Sequence, residues 1–164
     1  MPMSLLRRIF NALVAIAVIQ AIYYYPKMPD PMASHFDGLG APNDWSSRGF
    51  FFGLYLAIVL MLVVIFEFVP RWSEKHSRFG MKIPHPEYWL APERIDQTRA
   101  FFRRQMYLMG IAHMLLAIYA IQLAIEANLE AQPRLHPSIF WALLVYFAFL
   151  GGWLLHLFLH FRKQ

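Results

Sequence analysis

Cysteine is absent from this chain of 164 residues. No disulfide staples its loops, and neither thiol chemistry nor Fe–S ligation is open to it. Familiar catalytic signatures are missing as well. There is no HExxH, no Walker loop, no Gly-x-Ser-x-Gly and no pair of carboxylates at catalytic spacing. Ser34, Ser46 and Ser47 have His35 nearby but no evident third group to orient it. An enzyme reading has no motif behind it, and no cofactor or metal is assigned. No internal repeat and no low-complexity tract interrupts the chain.

What is abundant is apolar surface. Hydrophobic residues make up 59% of the chain and the mean hydropathy is +0.40, whereas soluble domains are nearer half apolar. The excess is clustered in four runs, Leu5–Tyr25, Gly49–Val69, Met106–Glu126 and Ser138–Leu159. Each approaches or exceeds the ~18–20 residues that cross a bilayer as a helix. The expected fold is an all-α integral membrane protein with four transmembrane helices in one domain, 1–164. The first run follows Arg7-Arg8 and weakly resembles a twin-arginine signal. It is longer than a signal core and ends on Tyr23-Tyr24-Tyr25, an aromatic interface belt, which favours a retained helix.

The net charge of +5 raises nucleic acid as a partner, but the distribution of basic residues argues for membrane topology instead. Arg7, Arg8, Arg71, Lys75, Arg78, Lys82, Arg94, Arg99, Arg103, Arg104, Arg162 and Lys163 fall on one side; Lys27, Arg48 and Arg134 fall on the other. Twelve against three predicts both termini and the 70–105 segment in the cytoplasm of a bacterial cell, and the 26–48 loop outside. Within 70–105 the prolines at 84, 86 and 92 divide an irregular basic stretch from the helical "PERIDQTRAFFRRQM". Pro92 suits the first helical position, with Glu93 and Asp96 in the first turn. Ile95, Phe102 and Met106 share a face, with Phe101 beside them. Arg94, Arg99, Arg103 and Arg104 are the candidates to contact anionic lipid of the inner leaflet. This amphipathic helix either lies along that leaflet or runs into the third span.

Polar residues inside spans are costly and mark candidate sites. Gln20 lies near the outer end of span one. Glu67, His113, His156 and His160 fall in the inner half of the spans, the last two at i, i+4 on one face. Together they would suit a proton site, a metal site or a haem-type axial pair. Alternatively, Glu67 and His160 snorkel to the interface and His156 bonds a carbonyl. Gly49-x-x-x-Gly53 and Gly151-Gly152 permit close helix approach, within the bundle or with another subunit.

The outer loop is the densest in unusual residues. Pro26, Pro29 and Pro31 stiffen it, residues 33–36 suit a short strand, and Asp37–Gly40 and Pro42–Asp44 are turn signals. Ser46 or Ser47 suits the cap of span two. The contact candidates are His35, Phe36, Asp37, Asp44 and Trp45. His35 and Asp37 point the same way in an extended chain and would share a cation if Asp30 or Asp44 folded over them. Equally, they tie the turns, with Phe36 and Trp45 anchoring the loop as a cap over the outer ends of spans one and two. An extended segment also offers backbone groups to which a peptide adds as a strand.

"MPDPMASHFDGLGAPNDWSSR" resembles the signature of a bacterial membrane domain of unknown function found at the front of SdpI-type immunity proteins. Pro29, Pro31, His35, Phe36, Gly40 and Trp45 carry the resemblance, which covers about residues 5–69. "HPEYWLAPER" at 85–94 is similar to stand-alone members. The resemblance implies a non-enzymatic membrane module linked to immunity and signalling, its partner a secreted peptide. The SdpI type continues with more spans than the two that follow here. A small accessory subunit of a respiratory or transport complex is the alternative, and a metal- or proton-dependent carrier or enzyme the third reading. Topology is the first thing to test. A reporter fused after Gln164 is expected to be cytoplasmic and a tag within residues 38–44 accessible from outside; an external C-terminus would invert every assignment of side.

Overall fold

The computed structural model describes residues 2–75 and 83–162. Arg78, Lys82 and Lys163 of the basic count lie outside the described residues, as do residues 76–82 of the irregular basic stretch. Helix α1 (Met3–Tyr24) leads through a 3-10 turn into a hairpin of β1 (Met32–Phe36) and β2 (Pro42–Ser46). Helix α2 (Arg48–Val63) continues through a π turn (Val64–Phe68) into α3 (Val69–Lys75). Then come the short α4 (Pro86–Trp89), the long α5 (Ile95–Leu129) and α6 (Ser138–Arg162). Four helical stretches, Met3–Lys27, Arg48–Trp72, Ile95–Leu129 and Ser138–Arg162, are long and apolar enough to cross a membrane.

The amphipathic segment before the third span is not a separate helix. It is the first third of α5, whose 35 residues run without a break. No proline or glycine stands between Ile95 and Met109, so nothing stops the helix. At ~1.5 Å per residue α5 is about 52 Å long, far more than a ~30 Å hydrocarbon layer requires. Pro92 does not open it. It sits in the turn ahead, where the amides of Arg94 and Ile95 both reach Ala91 O at 2.9 Å. Arg94 and Arg104 are exposed, while Arg99 and Arg103 are half-buried.

The core is a three-helix affair. Leu6, Phe10, Ala17 and Ala21 of α1 meet Phe52, Tyr55, Val59, Leu62 and Phe66 of the second helix, and Tyr107, Met109, Met114 and Ile125 of α5. At Gly110 both neighbouring helices come close. A Cβ there would stand 2.9 Å from the Phe66 ring and 3.0 Å from the Phe10 ring. The glycines singled out by spacing behave otherwise. Gly53, Gly151 and Gly152 have nothing within 4 Å where a Cβ would be, so they mediate no close packing among the described residues. Their faces point away from the core.

Helix α6 stands outside this core. Among its described residues only Phe161 is buried. It is held to α5 by side-chain bonds: Tyr146 to His113 at 2.9 Å, Trp153 to Gln105 at 3.0 Å and Tyr119 to Ser138 at 2.8 Å. At one end α4 joins in, with Trp89 Nε1 donating to Phe161 O at 3.3 Å and Thr98 Oγ1 donating to Trp89 O at 2.9 Å.

The π turn has a local cause. Pro70 has no amide to give Phe66 O, and the helix widens just ahead of it so that Val69 N bonds Val64 O. As a result Phe66 and Glu67, adjacent in sequence, are both buried. Gly110→Ala is expected to destabilise the bundle by about 1–3 kcal/mol through overpacking. Gly53→Ala, in open space, is expected to be neutral or to stabilise by up to about 1 kcal/mol. Reversible unfolding in mixed micelles checks both; equal effects at the two positions would place the close approach elsewhere.

Candidate functional site

The hairpin is built from its turn outward. The Asp37 carboxylate accepts from the amides of Leu39 at 2.8 Å and Ala41 at 2.9 Å, and Asp37 N donates to Ala41 O at 2.8 Å. This is the usual way a short acidic side chain closes a tight turn. Gly40 completes it at φ +82°, a conformation suited to glycine. A Cβ on Gly40 would meet Leu135 O at 2.6 Å, so glycine is required twice over. The strands pair antiparallel, Met32 with Ser46, Ala33 with Trp45, His35 with Asp44 and Phe36 with Pro42, with irregular steps on either side of His35. Ser47 caps α2, its Oγ accepting from Phe50 N at 3.2 Å.

The hairpin docks on α5 rather than resting only on the ends of the first two spans. Asn128 is buried near the end of α5 and treats Ala33 as a strand partner. Ala33 N donates to Asn128 Oδ1 at 2.7 Å, and Asn128 Nδ2 donates to Ala33 O at 2.9 Å and to Ala124 O at 2.8 Å. At the tip, Leu135 N donates to Gly40 O at 2.9 Å. Met28, Met32 and Ala33 are buried beneath, and Phe36 packs against the core. At the start of α2, Arg48 Nη1 donates to Met28 O at 3.2 Å and its guanidinium lies 4.8 Å from the Tyr25 ring centre.

The contact candidates divide accordingly. Asp37 is consumed by the turn, and Asp44 accepts from Trp45 N at 2.8 Å. Asp30 accepts from Arg48 N at 3.3 Å. All three carboxylates are thus engaged by backbone amides, and His35 faces Asp44 across the strands. Among the described residues no three His, Asp or Glu side chains gather as metal ligands would. Trp45 is no anchor either; it is 48% exposed. His35 is exposed too, and its side chain makes no hydrogen bond to the described residues.

The buried polar residues form two further knots, both centred on α5. At the end far from the hairpin, Glu67 neither snorkels nor joins the histidines. Its Oε1 takes Arg71 Nη2 at 2.6 Å and Arg7 Nε at 3.1 Å, and its Oε2 accepts from the Tyr107 hydroxyl. One carboxylate thus ties α1, the π turn, α3 and α5 together. Nearer the hairpin, Tyr55 OH donates to Gln20 Oε1 at 2.7 Å; Gln20 Nε2 donates to Gln122 Oε1 at 2.9 Å and Ile118 O at 3.2 Å. Gln122 Nε2 in turn donates to Glu126 Oε1 at 2.8 Å and Tyr24 OH at 3.3 Å. Each network satisfies groups that would otherwise be costly where water is scarce.

The four inner candidates are not brought together as one site. His113 Nδ1 is 2.9 Å from Met109 O and its Nε2 is 2.9 Å from Tyr146 OH. His160 stacks on Phe101 with ring centres 3.8 Å apart, and the His156 ring is 6.4 Å from that of His160. Glu67 spends its contacts on arginines and a tyrosine. Sequence reasoning named Glu67 and Gln20 but missed Arg7, Arg71, Tyr107, Tyr55, Gln122 and Asn128. Amides at 122 and 128, with Glu126 between them on a helix otherwise mostly apolar there, were the available signal.

A DUF1648 domain, a domain of unknown function, is found at residues 12–66. It covers most of α1, the whole hairpin and α2 into the π turn, and stops one residue short of Glu67. Helix α5, which supplies the hairpin's dock, lies outside it. Neither a curated protein nor a solved structure matches the chain.

The dock is separable from the display. Asn128→Ala strands the buried amide and carbonyl of Ala33 and is expected to cost roughly 2–4 kcal/mol. Trp45→Ala is expected to stay within about 0.5 kcal/mol. Thermal unfolding of the purified variants checks this; a destabilised Trp45→Ala with an unaffected Asn128→Ala would reverse the assignment.

Proposed function

We propose that the chain is a non-enzymatic, multi-pass protein of a bacterial cytoplasmic membrane whose hairpin is an outward-facing recognition element. It would be of the immunity- and signalling-associated kind that SdpI-type proteins represent. The observation that carries this is the contrast between the hairpin's two sides. Ala33 and Asn128 pin the inner side into the bundle. His35, Asp44 and Trp45 stand exposed on a rigid frame. A frame held this firmly while presenting an imidazole, a carboxylate and an indole suits contact with a partner. The β2 strand is mostly exposed and, among the described residues, is paired only with β1. Its other edge suits addition of a peptide as a strand, a mode in which backbone bonds supply affinity. The excess of basic residues around 70–105 and at both ends of the chain supports the orientation. Exposed Arg94 and Arg104 suit contact with anionic lipid on that side.

The second reading, an accessory subunit of a larger membrane complex, is favoured by α6. Its exposed Trp141, Val145, Phe147 and Phe158 form a broad apolar face that a neighbouring subunit would cover as well as lipid does.

A photo-crosslinking residue at position 45, irradiated in intact cells, tests the proposal. Adducts with a secreted peptide are expected, reduced when His35 is also changed to alanine. Adducts with a large membrane protein would favour the accessory-subunit reading. A folded, surface-exposed variant that yields no adduct would leave the hairpin a mere connector.

A further inference from the structure

The Glu67 knot lies at one end of the first two membrane-crossing stretches, Met3–Lys27 and Arg48–Trp72. It holds more positive charge than negative. One carboxylate, on a residue only 7% exposed, draws two guanidiniums to the same oxygen: Arg7 Nε at 3.1 Å and Arg71 Nη2 at 2.6 Å. The two arginines therefore stand side by side, fixed by a buried group. Among the described side chains no other Asp or Glu lies within 4.0 Å of either, so the knot carries one positive charge in excess.

Neither guanidinium is used up. Arg7 spends its Nε on Glu67 and Arg71 its Nη2; their other N–H groups meet no acceptor among the described residues. The two side chains are 52% and 38% exposed, so those groups remain within reach of a ligand. Beside them Phe68, Val69, Arg71 and Trp72 line a groove of about 470 Å³. Phe68, Val69 and Trp72 are each about half exposed. Unused N–H forks thus adjoin an apolar groove at the end of two spans, the depth at which a bilayer passes from phosphates to acyl chains.

We propose that Arg7 and Arg71 together bind the phosphodiester of an anionic glycerophospholipid, with an acyl chain along Phe68, Val69 and Trp72. A planar guanidinium meets phosphate oxygens with parallel N–H donors, and forks already held in place lose little freedom on binding. The knot's excess of one charge answers the single negative charge of phosphatidylglycerol. Phosphatidylcholine brings the same phosphate, but its choline cation cancels that attraction. Glu67 is the positioning residue: it holds both forks and touches no lipid. The site is separate from the exposed arginines of α5, and it depends neither on the hairpin's role nor on which side of the membrane this end occupies.

The test is native mass spectrometry of the full chain released from micelles, titrated with phosphatidylglycerol or phosphatidylcholine of the same acyl chains. The first phosphatidylglycerol adduct is expected to be at least about tenfold tighter than the phosphatidylcholine adduct. The Arg7→Gln/Glu67→Gln/Arg71→Gln variant lowers the net charge by one and removes the buried carboxylate together with its partners. No lone charge is stranded, so the fold is expected to hold and the preference to be lost. Arg8→Gln lowers the net charge equally at the neighbouring position and is expected to keep the preference. Should the triple variant unfold, Arg7→Lys/Arg71→Lys keeps charge opposite Glu67 without the forks and is expected to lose most of the preference. Inorganic phosphate at about 10 mM is expected not to displace the lipid, because it lacks the apolar body. Equal affinity for the two lipids, equal losses in Arg8→Gln and the triple variant, an unchanged preference in the lysine variant, or displacement by phosphate would overturn the proposal.

Discussion

A backbone amide buried away from water has to find a partner inside the protein, and a lone strand edge offers none. Ala33 is fully buried, with its amide and carbonyl on the edge of a two-stranded hairpin that is too small to be stable alone. The side chain of Asn128 meets both groups at once, as a third strand would. The rest of the hairpin end follows from this pair of bonds. It fixes the hairpin's height on α5, brings Gly40 against Leu135, buries Met32 and leaves His35 and Trp45 facing away.

The same rule governs the helices. Each buried polar side chain of α1 and the second helix reaches a partner on α5: Gln20 and Tyr55 through Gln122, and Glu67 through Tyr107. Helix α5 is the common post, and Gly110 lets the other two helices lean close to it. Glu67 is the costlier member. A buried carboxylate survives only with its charge answered, and Arg7 and Arg71 answer it. Helix α6 shares no such buried knot with α1 or α2, which is consistent with its small share of the core. One helix pair and its hairpin carry the DUF1648 domain; the helix that organises them lies beyond it.

Much of this was legible in the amino-acid order. Apolar run length located the four long helices, although not their ends. Asp37 and Gly40 announced a turn, and the serine pair 46–47 a cap, which is Ser47. What escaped were contacts between residues far apart in sequence. Nothing local to Glu67 says that Arg7, sixty positions earlier, will reach it. Nor does anything local to Asn128 say that a strand will dock there; at the end of an apolar run an amide reads as an interface residue. The merger of the amphipathic segment with the third span was left open because charge pattern distinguishes faces, not helix breaks. Trp45 was misread for a similar reason. Its size suggested an anchor, but Trp45 is half exposed while the smaller Ala33 opposite it is buried.

The account stands or falls on the hairpin being held by α5 rather than lying loosely on it. The direct measurement is hydrogen exchange at the Ala33 amide in membrane-reconstituted protein, comparing the native chain with Asn128→Ala. If Asn128 holds the strand, this amide exchanges as slowly as buried amides of α5 in the native chain and at least tenfold faster in the variant, while the centre of α5 is unchanged. Rapid exchange of Ala33 in the native chain, at the rate of an open loop, would contradict it.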